Sequence, residues 1–456
     1  MLPVPSDERG MSFMDNFHHI LIWRRRAPKF TTFRVNSLVT SPLLFAETLK
    51  EKLAELSVAR ESAGLESSVP HIWLNPKFPE VVAFGSWALN GELPQHELEV
   101  IVDPACGAAV LRGANVFAPG VIGLLPGATI GDIVSVYANI GSTCKRGWTQ
   151  KIDANERYFV GNGVLLMDRK QLFSGDGLHR GIAVLVTDNR SGCPSLPSNF
   201  IKPGTAVMQN LPSIVCGRVL DPQPGEVILD MCAAPGNKTS HLAALMNNLG
   251  IIIALDRSAS RILKLKELCK ELSVTNVLPF VYNSVNAVDL QKEISLDGKC
   301  DLQCLKAGPP FPPCCFDRIL LDAPCSGLGQ RPRLDPVDVK HIVSLPPLQK
   351  KLFQTAVMLL KAGGVLVYST CTVVCEENEG IVRWALDQFP CLKLVSAEPR
   401  LDYFSSSEDS FKNTLLSSSE WECVQKFVPI ESEPLEENVC ERDTIGFFIA
   451  KFRKQI

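Results

Sequence analysis

Glu226-Val-Ile-Leu-Asp-Met-Cys-Ala-Ala-Pro-Gly-Asn-Lys-Thr239 reads as a short apolar strand, a turn of small residues and the start of a helix. The branched residues after Glu226 fit a buried strand, and Asp230 ends it. Gly236 lets the turn bring its backbone close to a ligand. The same rhythm continues downstream: Ile251-Ile-Ile-Ala-Leu-Asp256 predicts a second strand, followed by a helix through Leu272. Asp317-Arg-Ile-Leu-Leu-Asp322 and Gly364-Val-Leu-Val-Tyr-Ser369 predict two more. Between them Leu348, Leu352, Val357, Leu359 and Leu360 mark the core face of a helix. Alternating strands and helices predict an α/β fold with a doubly wound, mostly parallel sheet over residues 199–456, closed by a last strand at Ile445–Phe452.

Upstream the texture differs. Phe30-Thr-Thr-Phe-Arg-Val-Asn36 and a helical pattern from Pro42 through Leu56 predict a small α/β segment over 1–103, packing on the larger domain, with a loop at Ser57–Pro70. From residue 104 to 198, glycines punctuate short apolar runs such as Asp132-Ile-Val-Ser-Val-Tyr137, which predicts a small β-barrel. Asn189–Pro203 reads as a linker and Ser405–Glu420 as a polar loop.

At 456 residues, two or three domains are expected. No apolar run approaches the roughly 18 residues of a membrane span, and the first residues lack a secretory pattern. The 16 cysteines are scattered without any Cys-x-x-Cys pair, which predicts a reducing, cytoplasmic setting and no metal site. A net charge of −3 excludes a wholly basic nucleic-acid coat. Local charge is uneven: residues 104–190 carry 9 lysines and arginines against 6 acids, while 391–456 carry 8 against 12. A polyanion would prefer the middle of the chain.

The turn Cys232-Ala-Ala-Pro-Gly-Asn-Lys238 keeps bulky side chains away, and Lys238 offers a cation to a carboxylate or phosphate. It lacks both Gly-x-Gly-x-x-Gly and a Gly-Lys-Ser/Thr ending, so NAD and ATP fit poorly. Taken alone it serves equally as a plain connection. Asp256, about 20 residues past Gly236, stands where doubly wound folds hold an acid against ribose hydroxyls, which favours a nucleotide-like cofactor.

Cys325, in Asp322-Ala-Pro-Cys-Ser-Gly327, and Cys371, in Ser369-Thr-Cys-Thr372, follow the ends of two predicted strands. A cysteine near a strand end is usually a small buried hydrophobe, and Cys216, Cys269, Cys391 and Cys423 take that reading. Two thiols at the ligand-binding end of one sheet point instead to nucleophilic sulfur, activated by a cation such as Lys238.

With Cys-Ala-Ala-Pro-Gly-x-Lys-Thr, Asp-Ala-Pro-Cys-Ser-Gly and Ser-Thr-Cys-Thr in this order, the chain resembles the NSUN (Sun-domain) family of RNA cytosine-5 methyltransferases across Leu211–Lys454. Cys106-Gly-Ala-Ala-Val-Leu-Arg-Gly-Ala114 through Phe173 resembles that family's inserted RNA-binding PUA barrel. Gln209-Asn-Leu-Pro-Ser213 and Gly329-Gln-Arg-Pro332 add a resemblance to the branch that modifies tRNA acceptor ends at position 72. The resemblance implies S-adenosyl-L-methionine as cofactor, held by Cys232, Ala233, Ala234, Pro235, Gly236, Asn237, Lys238, Asp256, Asn283 and Asp322. It implies Cys371 as nucleophile toward carbon 6 of cytosine, Cys325 as the aid to product release, and Asp322 as hydrogen-bond partner of the ring at N3, with Lys238 beside them. Partners implied are the tRNA acceptor stem and 3′ end, with mRNA as a second substrate class, for an enzyme expected to be monomeric. Tyr137, Asn139, Lys145, Arg146 and Lys151 are the expected RNA contacts, against the alternative of a solvated loop with incidental charge.

Two departures from the family pattern stand out: Asn237 replaces a second glycine and Asn283 replaces an acid. They leave open a catalytically weakened RNA-binding protein or chaperone of the same fold. A DNA cytosine-5 methyltransferase would use the Pro-Cys thiol as nucleophile; the second thiol at 371 and the PUA-like insert favour RNA.

Overall fold

The structure is a computed structural model and describes residues 19–62, 68–87, 91–175, 180–197, 200–292, 301–401, 415–428 and 439–455. The chain forms two compact units: one takes Met1–Lys29, Leu89–Leu196 and Gln330–Val337, the other Phe30–Ala88, Pro197–Gly329 and Asp338–Ile456.

The larger unit is organised by an eight-stranded sheet. Val277–Val281, Ile251–Asp256, Val227–Asp230, Phe316–Asp322 and Leu360–Thr370 run parallel in that spatial order. Phe447–Lys454 then pairs antiparallel with Leu360–Thr370, and it carries Leu392–Val395 and Gln425–Phe427. Side chains alternate across the pleat. Leu229, Ile253, Ile319, Leu321 and Leu366 join one core with Phe353, Val357 and Ile381. Ile228, Ile252, Leu320, Val365 and Val367 join another with Ile214, Val215, Val219 and Leu242. With helices on both faces, neighbouring strand residues are buried together, which is why these strands read as continuous apolar runs.

The helix carrying the expected leucines is Val339–Leu359, started by Asp338, whose side chain accepts from the Lys340 and His341 amides. Leu360 opens the next strand instead of ending that helix.

The first expected segment does not form one unit. Phe30–Val35, Val81–Gly85, Ile72–Leu74 and Ala206–Met208 make a four-stranded antiparallel sheet inside the larger unit. Glu99–Val102 pairs instead with Val121–Leu124 and Ile133–Asn139, so these residues belong with the smaller unit. The helix begun at Pro42 runs to Ser62, past the loop expected from Ser57, because Val58-Ala-Arg-Glu-Ser62 contains no breaker. Part of that loop (63–67), and most of the Ser405–Glu420 loop (402–414), lie outside the described residues.

In the smaller unit, six strands follow one path: Val116–Phe117, Ile182–Asn189, Arg157–Leu165, Ile133–Asn139, Glu99–Val102 and Val121–Leu124. Val100, Val110, Val134, Val136, Val160 and Val184 fill its core. The helix Pro104–Leu111 starts at Asp103, whose carboxylate accepts from the Cys106 amide.

Candidate active site

The strand Val227–Asp230 delivers Asp230 into the interior, where it is 1% exposed. Thr239 Oγ1 donates to Asp230 Oδ2 at 2.8 Å, while Oδ1 is buried without a hydrogen-bond partner. Burial pushes the acid up to about 7, against the pull of the Thr239 hydroxyl. Gly236 has φ +111°, a conformation that L side chains rarely adopt, and a Cβ there would meet Leu265 Cγ at 3.1 Å. The turn therefore requires glycine, and the helix Asn237–Leu245 begins directly after it.

Beside the turn, Asp256 ends its strand 4% exposed. Oδ1 accepts from the Ser258 amide at 2.9 Å, and Oδ2 pairs with Arg261 Nη1 at 3.0 Å. Arg261 also donates to the Ala234 carbonyl and so tethers the turn to the following helix. A cavity opens here, lined by Met231, Cys232, Asp256, Arg257, Arg261, Tyr282, Asn283 and Ser284 together with Pro324, Leu348 and Leu352. Asn283 is exposed and accepts the Val285 amide at 3.2 Å.

Lys238 does not line this cavity. Its Nζ donates to Asp322 Oδ2 at 2.8 Å and lies 5.1 Å from the Phe447 ring centroid. Burial works against its charge, but Asp322 more than compensates and holds the ammonium above its ordinary value. Ser369 Oγ donates to Asp322 Oδ1 at 2.7 Å, so both carboxylate oxygens are aimed. The strands Phe316–Asp322 and Leu360–Thr370 are neighbours, with Asp322 opposite Ser369. Their extensions bring the two thiols together: Cys325 Sγ and Cys371 Sγ are 3.3 Å apart. Contact with Cys371 and burial push the Cys325 thiol well above its usual range. The chain leaving Cys325 is pinned at Gly329, whose amide donates to the Cys371 carbonyl at 3.0 Å. A Cβ at 329 would strike the Gly446 carbonyl oxygen at 2.1 Å.

Neither sulfur lines the cavity; Pro324, which does, immediately precedes Cys325. Sequence reasoning missed Arg257, Arg261, Tyr282, Ser284, Leu348 and Leu352. Of the expected cofactor residues, Cys232, Asp256 and Asn283 line the cavity; Ala233 to Asn237 form the turn behind it, and Lys238 and Asp322 face the thiol end.

The expected RNA contacts need correction. Tyr137 is 3% exposed, its hydroxyl donating to Gln95 Oε1 at 2.6 Å beneath Arg157, and Asn139 is 1% exposed. Both sit on Ile133–Asn139, a strand between two others and covered on both faces, so neither presents a surface to RNA. Arg146 spends its guanidinium on the Val121 and Leu172 carbonyls, over the Phe173 ring. Lys151 is exposed and lies 3.5 Å from Glu99 Oε1; Lys145 is exposed.

A glycine turn after the first strand, an acid at the end of the second and reactive groups past the fourth and fifth define an α/β S-adenosylmethionine-dependent methyltransferase. Residues 217–453 match the model of the 16S rRNA methyltransferase RsmB/F family, and the chain belongs to that family. It is 38% identical over 453 residues to the mouse and human tRNA (cytosine(72)-C(5))-methyltransferases NSUN6, covering 96% of this chain and 90% and 91% of those proteins. The tRNA (cytosine(72)-C(5))-methyltransferase of Pyrococcus horikoshii is 34% identical over 78% of this chain and 75% of its own. The crystal structure of NSun6 from Pyrococcus horikoshii with SFG superposes with a TM-score of 0.69 at 29% identity, covering 97% of this chain and 95% of that one. Among the described residues no helix is long and apolar enough to cross a membrane, and no cluster of ligands suited to a metal ion occurs.

Proposed function

We propose that the protein is an S-adenosylmethionine-dependent tRNA cytosine-5 methyltransferase acting at position 72 of the acceptor stem, through a covalent bond between Cys371 and the base. The observation that carries this reading is the pair of thiols 3.3 Å apart beside a carboxylate fixed by Lys238 and Ser369. The near full-length likeness to relatives named for cytosine-72 methylation supports the substrate.

The cavity suits the cofactor chemically. Asp256 and Asn283 offer acceptors to ribose and adenine, while Leu348, Leu352 and Pro324 give the flat ring apolar walls. SFG, bound in the related crystal structure, is an analogue of S-adenosylmethionine. When bound, S-adenosylmethionine supplies a methyl group carried on a positively charged sulfur.

Carbon 5 of cytosine is a poor nucleophile. The Cys371 thiolate forms a bond to carbon 6, and the ring electrons move toward carbon 5 and N3. Asp322 meets the ring at N3 and passes it a proton, which Lys238 behind the carboxyl can replace, so the charge that builds there is neutralised without rearrangement. After methylation a solvent water takes the carbon 5 proton, the carbon 5–carbon 6 double bond re-forms and the carbon 6–sulfur bond breaks, returning the thiolate to Cys371. The Cys325 thiol, 3.3 Å from Cys371, donates to the departing sulfur and so supports this elimination. A paired base must first leave its stack. The six-stranded unit takes the role of the PUA-like RNA-binding barrel, with Lys145 and Lys151 as its exposed cations toward phosphates.

Bisulfite sequencing of tRNA incubated with protein and cofactor should show one protected cytosine at position 72. Cys371→Ala should lose methylation by on the order of 10⁴-fold, while Cys325→Ala should accumulate a protein–RNA adduct that survives denaturing electrophoresis. Full activity of Cys371→Ala would remove the mechanism.

A further inference from the structure

One buried dipeptide, Glu377-Asn378, grips the loops that carry both sulfurs. Glu377 and Asn378 are each 0% exposed. On one side, Glu377 Oε2 accepts from the Ser326 amide at 3.0 Å and from Gln349 Nε2 at 2.9 Å. The same Gln349 nitrogen donates to the Pro324 carbonyl at 2.9 Å. The residues before and after Cys325 are thus both tied down. On the other side, Asn378 Oδ1 accepts from Thr370 Oγ1 at 2.6 Å, and Asn378 Nδ2 donates to the Thr372 carbonyl at 3.0 Å. These are the neighbours of Cys371. The Ser326 and Thr372 hydroxyls meet at 2.7 Å and link the two loops directly, and the Tyr368 hydroxyl donates to the Glu377 carbonyl at 2.6 Å.

Packing alone does not account for this arrangement. A buried carboxylate carries a heavy desolvation cost unless hydrogen bonds offset it, and an apolar side chain would fill the same space more stably. Here Glu377 Oε2 and both polar atoms of the Asn378 side chain bond to residues adjoining a reactive thiol. We propose that Glu377 with Gln349 positions Cys325, and that Asn378 positions Cys371, so that the two halves of one dipeptide govern different steps of the reaction. This rests on the assignment of Cys371 to attack and Cys325 to release. Loosening the Glu377 half lets Cys325 drift from the adduct, so methylation proceeds and release stalls. Loosening the Asn378 half misplaces the attacking sulfur, and no adduct forms.

The test uses the full chain with S-adenosylmethionine and a tRNA transcript, measuring methyl transfer, denaturation-resistant adduct and cofactor affinity. Glu377→Ala and Gln349→Met should accumulate adduct and slow turnover by about 10²-fold, the scale of an ångström-sized misplacement. Glu377→Gln, whose single carbonyl can accept both bonds, should release product at nearly the normal rate. Asn378→Leu should lose methyl transfer to a similar extent without adduct. Cofactor affinity should stay unchanged in all four. Should Glu377→Ala fail to fold, Gln349→Met reads the same half. Release at the normal rate in Gln349→Met, or the same adduct signature from both halves, would overturn the proposal. An active Cys371→Ala, or no adduct in Cys325→Ala, would instead sink the underlying reaction, so the two failures are distinguishable.

Discussion

Around Cys325 and Cys371, the groups that fix the sulfurs are themselves buried: Glu377, Asn378, Gln349 and Ser369 are each 0% exposed and bond to one another's loops. Around the cofactor cavity, Asp256 is buried, but its ion-pair partner Arg261 has a side chain 51% exposed, and Asn283 and Arg257 lie open. The thiol end is held by buried bonds, whereas the cofactor end has an exposed, charged rim. A reacting sulfur must meet a ring carbon at a set distance. A cofactor consumed once per turnover must enter and leave, so its pocket cannot be sealed by buried bonds.

This contrast predicts that substitutions at the two ends change different constants. Asp322→Asn keeps the shape but removes the carboxyl that Lys238 and Ser369 fix and that passes a proton to the base. It should lower kcat by about 10²–10³-fold, the scale of losing an electrostatic group at the reacting centre, with cofactor affinity nearly unchanged. Asp256→Asn should leave kcat at saturating cofactor intact and weaken binding by roughly thirtyfold, about 2 kcal/mol for losing charged hydrogen bonds. Calorimetry and single-turnover assays together separate the two; a shared defect in both variants would erase the distinction.

The sequence shows the thiol end in outline because its reactive groups lie in short runs just past strand ends, and strand ends were visible as apolar runs. It conceals the clamp: Gln349 and Glu377 are 28 residues apart, and Ser326 and Glu377 are 51 apart, so no local pattern joins them. The RNA contacts were misplaced for a related reason. Ile133–Asn139 is buried at every position but the first, so no two-residue alternation reveals that Tyr137 and Asn139 point inward. The domain boundary at 103 failed because the pairing partners of Glu99–Val102 lie later in the chain, at Val121–Leu124 and Ile133–Asn139.

Asp230 links the two ends, since its backbone joins the first strand and its side chain sits under the cofactor turn. Its folded pKa, about 7, lies above that of an unfolded carboxyl. Between roughly pH 4 and 7 the native state therefore holds a proton that the unfolded state has lost, and its contribution to stability falls as pH rises. Asp230→Asn removes this term. The stability of that variant relative to the parent should grow by up to about 1.4 kcal/mol per pH unit across that window and level off above pH 7. Denaturant titrations at several pH values measure the difference; parallel curves would mean that Asp230 is ionised throughout.

The smallest expected effect sits at Asn283, where the family usually places an acid. The amide still accepts the Val285 amide at 3.2 Å and faces the cavity, so the turn holds its shape without a charge. Asn283→Asp keeps an oxygen for that bond and adds a charged acceptor toward the adenosine. Hydrogen bonds to charged groups exceed neutral ones by about 1 kcal/mol, so affinity for S-adenosylmethionine should rise roughly fivefold. The gain should vanish in acid as the new carboxyl protonates, while the rate of the chemical step stays the same. An unchanged affinity at neutral pH would show that position 283 shapes the turn without touching the cofactor, and the open rim would then rest on Asp256 and Arg261 alone.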